Sequence, residues 1–241
     1  MKLRRIFSTF MALFTCTSLV ACGTNNSTAG NSGLSGQTVA QTEFNGSDNG
    51  NSKILIAYFS YFDNTDSQNI TSKKYADAMS SASVTTLNGQ KYGNNDVVAD
   101  ILKQKTGADV FSIITSQQYS PDYDGGIVEQ AQIDARNKTR PELASHISNI
   151  DQYDTIILLY PIWWYDMPMA VYTFFDEYDF SGKTIAPIVT SGGSGLLNTV
   201  SSIKNLEPNA NVTEGLAIYQ TNVANSSNEI SEWLNKIGIT K

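Results

Sequence analysis

The strongest constraint on the fold is the run Thr155-Ile156-Ile157-Leu158-Leu159-Tyr160, apolar almost throughout and stopped by Pro161. A short run without polar alternation reads as a strand buried on both faces, as in the middle of a parallel sheet. Proline cannot donate to a strand ladder, so the strand is expected to end near Tyr160. Ile162, Trp163, Trp164 and Tyr165 follow at once, which puts four large side chains at the carboxyl end of that strand. Open α/β sheets bind ligands at this edge. These residues either cap the core beneath them or wall a flat ligand. Two adjacent Trp side chains do not easily both point inward, which favours the second reading.

The rest of the chain alternates in the way a parallel sheet requires. Ile54–Phe59, Asp109–Thr115, Thr184–Thr190 and Gly215–Tyr219 read as four more strands. Helical patterns fall at Asn95–Lys105, closed by Gly107, at Gly126–Lys138 and at Met167–Tyr178, which is entered through Pro168. A further turn or two is expected over Pro141–Ile150. Another helix runs to Leu206, with Ser194 as its N-cap, and the last spans Ser227–Ile237 with Trp233 in the core. Five strands alternating with helices predict a doubly wound α/β domain with helices on both faces of the sheet. No period of 20 to 50 residues recurs, so a solenoid is excluded.

The amino-terminal residues read differently. Lys2, Arg4 and Arg5 precede an apolar stretch too short for a membrane span, and residues 1–21 form an export signal. The stretch ends in Leu19-Val20-Ala21-Cys22-Gly23, which resembles the lipobox of bacterial lipoproteins and implies cleavage before Cys22 and lipid attachment to it. Residues 22–52, rich in Gly, Ser, Thr, Asn and Gln, read as a disordered tether. The folded domain is then 53–241. Cys16 leaves with the signal and Cys22 is acylated, so the mature domain has neither thiol chemistry nor a cysteine metal site. Loss of Lys2, Arg4 and Arg5 takes the formal charge from −7 to −10, which disfavours nucleic acid and favours basic protein partners.

Three loops at the carboxyl ends of strands are unusual. The first is Ser60-Tyr61-Phe62-Asp63-Asn64-Thr65, joined by Tyr92-Gly93-Asn94-Asn95-Asp96 at the start of a helix. Hydroxyls, amides and backbone N–H groups at a helix N-terminus suit a phosphate, although no Lys is present as in a nucleotide P-loop. The same residues also suit a plain polar loop with a capping Asn. The second loop is Pro161–Tyr165. The third, Ser191-Gly192-Gly193-Ser194-Gly195, lets backbone approach a planar ligand closely. His146 has no partner at metal-ligand spacing and reads as a surface residue, so no metal site is expected. Tyr119 and Tyr123 are placed after the second strand, where they approach the rim of the same edge.

On these residues the chain resembles a flavodoxin, of the branch marked by Tyr-Gly-Asn-Thr, Tyr-Pro-Ile-Trp-Trp-Gly and Thr-His-Gly-Gly-Ser-Gly. Here the corresponding stretches are Tyr92–Asn95, Tyr160–Tyr165 and Thr190–Gly195, with Asp179–Ile185 and Pro208–Ala210 also in place. The resemblance covers nearly all of 53–241. It implies a flavodoxin-like five-stranded sheet in the order 2-1-3-4-5 with FMN as cofactor. It further implies that Ser60, Gly93, Asn94 and Asn95 hold the phosphate, that Pro161, Ile162, Trp163 and Trp164 wall the ring, and that Ser191, Gly192, Gly193 and Gly195 meet its polar edge. Three departures stand out: Asn95 replaces Thr, Tyr165 replaces Gly, and Ser191 replaces His.

The expected function is therefore an FMN-binding, flavodoxin-type redox protein, anchored outside the cytoplasmic membrane by lipid only. Its partner is a redox protein or a small-molecule electron acceptor, and no protein side chain is catalytic. The alternatives are an FMN-dependent NAD(P)H or quinone oxidoreductase, and a lipoprotein binding module without flavin.

Overall fold

The β-branched and aliphatic runs form the expected strands in the computed structural model, which describes residues 41–44, 54–70 and 83–239. All of these fall within one compact unit, Ser35–Lys241. The signal, Cys22 and most of the stretch read as a tether lie outside the described residues.

In chain order the strands are β1 (Thr42–Phe44), β2 (Ile54–Tyr58), β3 (Val84–Leu87), β4 (Gln90–Gly93), β5 (Asp109–Ser112), β6 (Ser145–Ile147), β7 (Thr155–Pro161), β8 (Thr184–Ser191), β9 (Asn211–Val212) and β10 (Leu216–Tyr219). The helices are α1 (Asn94–Thr106), α2 (Val128–Asn137), α3 (Met169–Glu177), α4 (Thr199–Leu206) and α5 (Ser227–Lys236). The main sheet is parallel and ordered β5-β2-β7-β8-β10, with β9 also on β8. Numbered by its principal strands this is 2-1-3-4-5, the doubly wound order expected. The sheet-order reversal between β2 and β7 creates the crevice where such folds bind ligands.

Alternation along the strands fills two cores. Leu55, Ala57, Phe59, Ile156, Leu158 and Tyr160 face α2, α3 and α4. Ile56, Ile157, Leu159, Ala186 and Ile188 face Val98 and Leu102 of α1 and Ile230, Trp233 and Leu234 of α5. Ile156 to Tyr160 are at most 1% exposed, and each large apolar side chain so buried stabilises the fold by about 1.5–3 kcal/mol. α1 ends as anticipated at Gly107, which is left-handed at φ 70° and returns its N–H to the Lys103 carbonyl.

Pro187 sits inside the otherwise central strand β8. The Ile185 carbonyl accepts from Thr213 N–H (3.0 Å) on the β9 side, and two residues on Pro187 turns its missing donor the same way. There the neighbouring strand is interrupted between β9 and β10, so no ladder bond is lost.

Several expectations are corrected. Thr42–Phe44, read as tether, is strand β1, paired in parallel with β6. Pro141–Asn149 is not helical, and Ile150 only opens a single 3-10 turn, Ile150–Gln152. Leu143, Ala144 and Ile147 are buried, a spacing that mimics a helix. Extended pairing takes it instead, through Ser116 N–H to the Glu142 carbonyl (2.8 Å), Ala144 N–H to the Ile114 carbonyl (2.7 Å) and the β1 register. β7 includes Pro161, whose register partner is Thr190. The polar stretch before α1 contains an unanticipated hairpin, β3–β4, turned at Asn88-Gly89 with φ of 50° and 81°. Asn-Gly is the preferred pair for such a turn. The N-cap of α4 is Asn198, not Ser194.

Candidate functional site

The loops that leave β2, β7 and β8 lie at one edge because those strands are adjacent and parallel. The first is shaped from within by Asn64, which is 1% exposed. Its amide donates to the Ser60 carbonyl (2.8 Å) and the Ile113 carbonyl (2.9 Å), and accepts from Thr115 N–H (2.8 Å) and Thr115 Oγ1 (3.0 Å). Thr65 Oγ1 donates to the Tyr119 carbonyl (2.8 Å). Asn64 and Thr65 are thus spent on holding the loop, which leaves Ser60 as its polar group at the helix start.

Ser60 Oγ donates to Asp96 Oδ2 at 3.0 Å, and Gly93 N–H bonds the same carboxylate. Gly93 is the N-cap of α1 and Asp96 the third helical residue, so this is the backward half of a capping box. A Cβ at Gly93 would collide with Asp96, Ser60 and Phe62, which is why the position must be glycine. Burial first, and then the nearby Asp63 charge, push the Asp96 carboxyl up to about 7. Asp63 itself accepts from Tyr58 Oη (2.9 Å) and Ser112 Oγ (2.7 Å). Burial and these two carboxylates hold the Tyr58 hydroxyl well above its ordinary range, so it remains a donor.

Asn95 is committed elsewhere, and Asn94 is fixed through its backbone. Asn94 N–H donates to the Ser83 carbonyl (2.7 Å). Asn95, expected to offer its amide to a phosphate, is buried and donates to the Phe59 carbonyl (2.7 Å) while accepting from Thr190 Oγ1 (2.8 Å). The longer amide reaches across the sheet edge and ties the end of β2 to the end of β8, which a Thr hydroxyl is too short to do.

The second loop is a two-residue turn closed by Trp163 N–H to the Asp166 carbonyl (2.9 Å) and Asp166 N–H to the Trp163 carbonyl (3.0 Å). Its central residues, Trp164 and Tyr165, have φ of 48° and 64°. This left-handed region costs a side-chain-bearing residue about 1–2 kcal/mol, and Gly is the usual occupant. Trp164 Nε1–H offsets part of that cost by donating to the Val128 carbonyl at 2.9 Å. The Trp pair divides as its adjacency requires. Trp163 packs edge-on against Phe59, Tyr61 and Tyr119, with ring centroids at 5.2, 6.1 and 5.4 Å. Trp164 is 42% exposed and Tyr165 76%. With Ile162, Tyr61, Tyr123 and the start of α2, the two Trp rings line a cavity of about 220 Å³. Tyr123 reaches this cavity, whereas Tyr119 does not line it and packs edge-on against Trp163.

In the third loop Ser191 Oγ accepts from Gly195 N–H (3.1 Å) and, at longer range, Gly193 N–H (3.4 Å). The residue that stands where the related motif has His therefore folds the glycine turn. Gly193 and Gly195 have φ of 128° and 66°. Gly192 borders Gln220 and Gly193 borders Tyr219, at the end of β10, a strand end that the sequence does not mark as part of the site. Ile162 N–H donates to the Thr190 carbonyl (3.0 Å) and joins the second loop to the third. The glycine turn does not line the Trp cavity, so the ring-wall and polar-edge residues sit on either side of the β7–β8 seam.

His146 pairs with Glu177 at 3.1 Å, away from this edge. Among the described residues no group of three or more His, Cys, Asp or Glu could hold a metal, and no helix is long and apolar enough to cross a membrane.

A doubly wound sheet with a helix-start anion cradle and an aromatic wall at its switch point defines an α/β ligand-binding domain of the mononucleotide class. The sequence profile described as "Flavodoxin" matches residues 89–237, more than half of the chain, and the chain belongs to the flavodoxin family. Among solved structures it resembles a candidate flavoprotein from Bacteroides eggerthii, at 25% identity and TM-score 0.50, over 79% of this chain and 100% of that one. A flavoprotein in complex with FMN from Lactobacillus acidophilus aligns at 18% identity and TM-score 0.46, over 76% and 99%. No curated protein matches the chain.

Proposed function

We propose that this chain is an FMN-binding electron-transfer protein of the flavodoxin type. The observation that carries the reading is the Ser60–Gly93 cradle, which already holds a carboxyl group, that of Asp96, at a helix start on the edge that carries the Trp163–Trp164 wall. The residues fit the cofactor: once Asp96 yields them, Ser60 Oγ and Gly93 N–H would hold the phosphate, Ile162, Trp163 and Trp164 would pack the ring, and the Ser191–Gly195 turn would present backbone to its polar rim. When bound, FMN supplies the redox chemistry, and the chain supplies orientation, water exclusion and hydrogen bonds.

The test is direct. The purified chain should be yellow and release FMN on denaturation. Trp164→Ala should weaken FMN binding about fivefold, since one aromatic contact contributes about 1 kcal/mol beyond burial. A chain that takes up no flavin from solution removes the reading.

We further propose that lipid on Cys22 tethers the domain to the outer face of the membrane, a reading that rests on the signal and lipobox-like residues. Cys22→Ala should shift the chain out of the membrane fraction or block its cleavage; unchanged fractionation and processing would end that proposal.

A further inference from the structure

The anion cradle is filled by the chain itself. Asp96 Oδ2 accepts from Ser60 Oγ (3.0 Å), while Asp96 Oδ1 is shielded from solvent and has no hydrogen-bond partner. A carboxylate in this state is poorly served: one oxygen is buried without a hydrogen-bond partner, and no cation among the described residues is paired with it. The charged groups around it, among the described residues, are unhelpful. Asp63, from the loop after β2, and Asp100, from its own helix, both carry negative charge, and the Tyr58 hydroxyl on β2 is directed to Asp63. Lys91, on the β3–β4 hairpin, turns its ammonium to the Ile70 carbonyl (3.5 Å). A flavin phosphate would have to use the same Ser60 and Gly93 donors, and would meet this carboxylate at contact distance.

We propose that Asp96 determines whether this site takes a phosphorylated or an unphosphorylated flavin: its seated carboxylate excludes the phosphate, and FMN binds only as Asp96 takes up a proton or leaves the cradle. The inference rests on the flavin reading above. A protonated Asp96 can turn aside from Ser60 and Gly93 and donate its O–H to a phosphate oxygen, so one proton enters with the ligand. Riboflavin, with a neutral tail, makes no such demand. With the Asp96 carboxyl raised to about 7 by burial and Asp63, the discrimination falls within the neutral range. FMN is then favoured on the acid side and loses its advantage on the alkaline side.

The experiment titrates FMN and riboflavin separately, by quenching of flavin fluorescence, into the full chain and into Asp96→Asn, at about pH 6 and about pH 8.5. In wild type, FMN affinity should fall at least about tenfold over this interval, while riboflavin affinity holds, because one close like-charge contact is worth a decade or more. Asp96→Asn should bind FMN about tenfold more tightly than wild type at the higher pH. The phosphate's own second ionisation, near about pH 6, affects both proteins equally and cancels in the comparison. Riboflavin affinity in the variant reports that its fold is intact. Proton uptake on FMN binding near neutrality, greater in wild type than in Asp96→Asn, gives a readout independent of affinity. An FMN-to-riboflavin ratio that is the same in both proteins at both pH values overturns the role of Asp96 while leaving flavin binding standing. Failure of either flavin to bind either protein overturns the flavin reading and the inference with it.

Discussion

Asn64→Ala is expected to lower the unfolding free energy by about 4 kcal/mol, the largest effect of any single polar truncation at this edge. The substitution deletes two donors and one acceptor together. The Ser60 and Ile113 carbonyls and the Thr115 N–H are then left without the bonds they make at 2.8–2.9 Å. Each buried group so abandoned costs about 1–3 kcal/mol, and a domain has only about 5–15 kcal/mol in total. Urea unfolding should show a lower midpoint with an unchanged slope. Asn64→Asp should be at least as damaging, because a carboxylate oxygen would face two carbonyls where the amide donates. A loss below about 1 kcal/mol in the Ala variant would mean that water replaces these bonds and that Asn64 does not organise the loop.

The second large effect is a dependence of stability on pH, carried by Asp96. Its carboxyl lies at about 7 in the folded chain against 3.8 when unfolded. Below pH 4 both states hold the proton and the group contributes nothing adverse. Between about 4 and 7 the unfolded chain releases the proton while the folded chain keeps it, so stability falls as pH rises, and the loss is complete above the folded value. The shift corresponds to at most about 4 kcal/mol. Asp134 and Glu177, both raised chiefly by burial, add smaller losses of the same sign. Asp96→Asn should therefore flatten the profile between about pH 4 and pH 7 and gain most at about pH 8. Denaturation series at three pH values decide it: parallel profiles for wild type and variant would show that the carboxylate is solvated and its burial immaterial.

What was legible in the sequence follows from the range of the forces involved. Ile156 to Leu159 could be placed in the sheet centre because burial on both faces leaves an unbroken apolar run. The edge residues Ser60, Gly93, Trp163 and Gly193 could be found because strand ends followed by hydroxyls, glycines or aromatics are locally visible. Partners distant in sequence were not. Nothing near Asn95 announces that its amide will reach Phe59 and Thr190, and nothing near Leu143 announces that β1 will draw the segment into extended pairing. The Asn88-Gly89 pair is a local turn signal, but the polarity around it masks the short strands it joins. Ser194 was read as a cap from its place after two glycines, yet the turn continues to Asn198 because Ser191 Oγ gathers the glycine N–H groups first. The left-handed pair Trp164–Tyr165 is hidden by its bulk, and its one trace in the sequence is that the related motif has Gly where Tyr165 stands.

The bridge from Thr190 through Asn95 to Phe59 also dictates an order of assembly. Its two bonds join positions 95 and 36 residues apart, so they can close only after those lengths of chain have been brought together. α1 can form its own turns early, but its start becomes a binding edge only once β8 has docked beside β7 and the amide has found both partners. An incompletely folded chain therefore has nothing there to grip a flavin. Cofactor added during refolding would leave the early steps alone and act at the end, drawing the population into the native state by mass action.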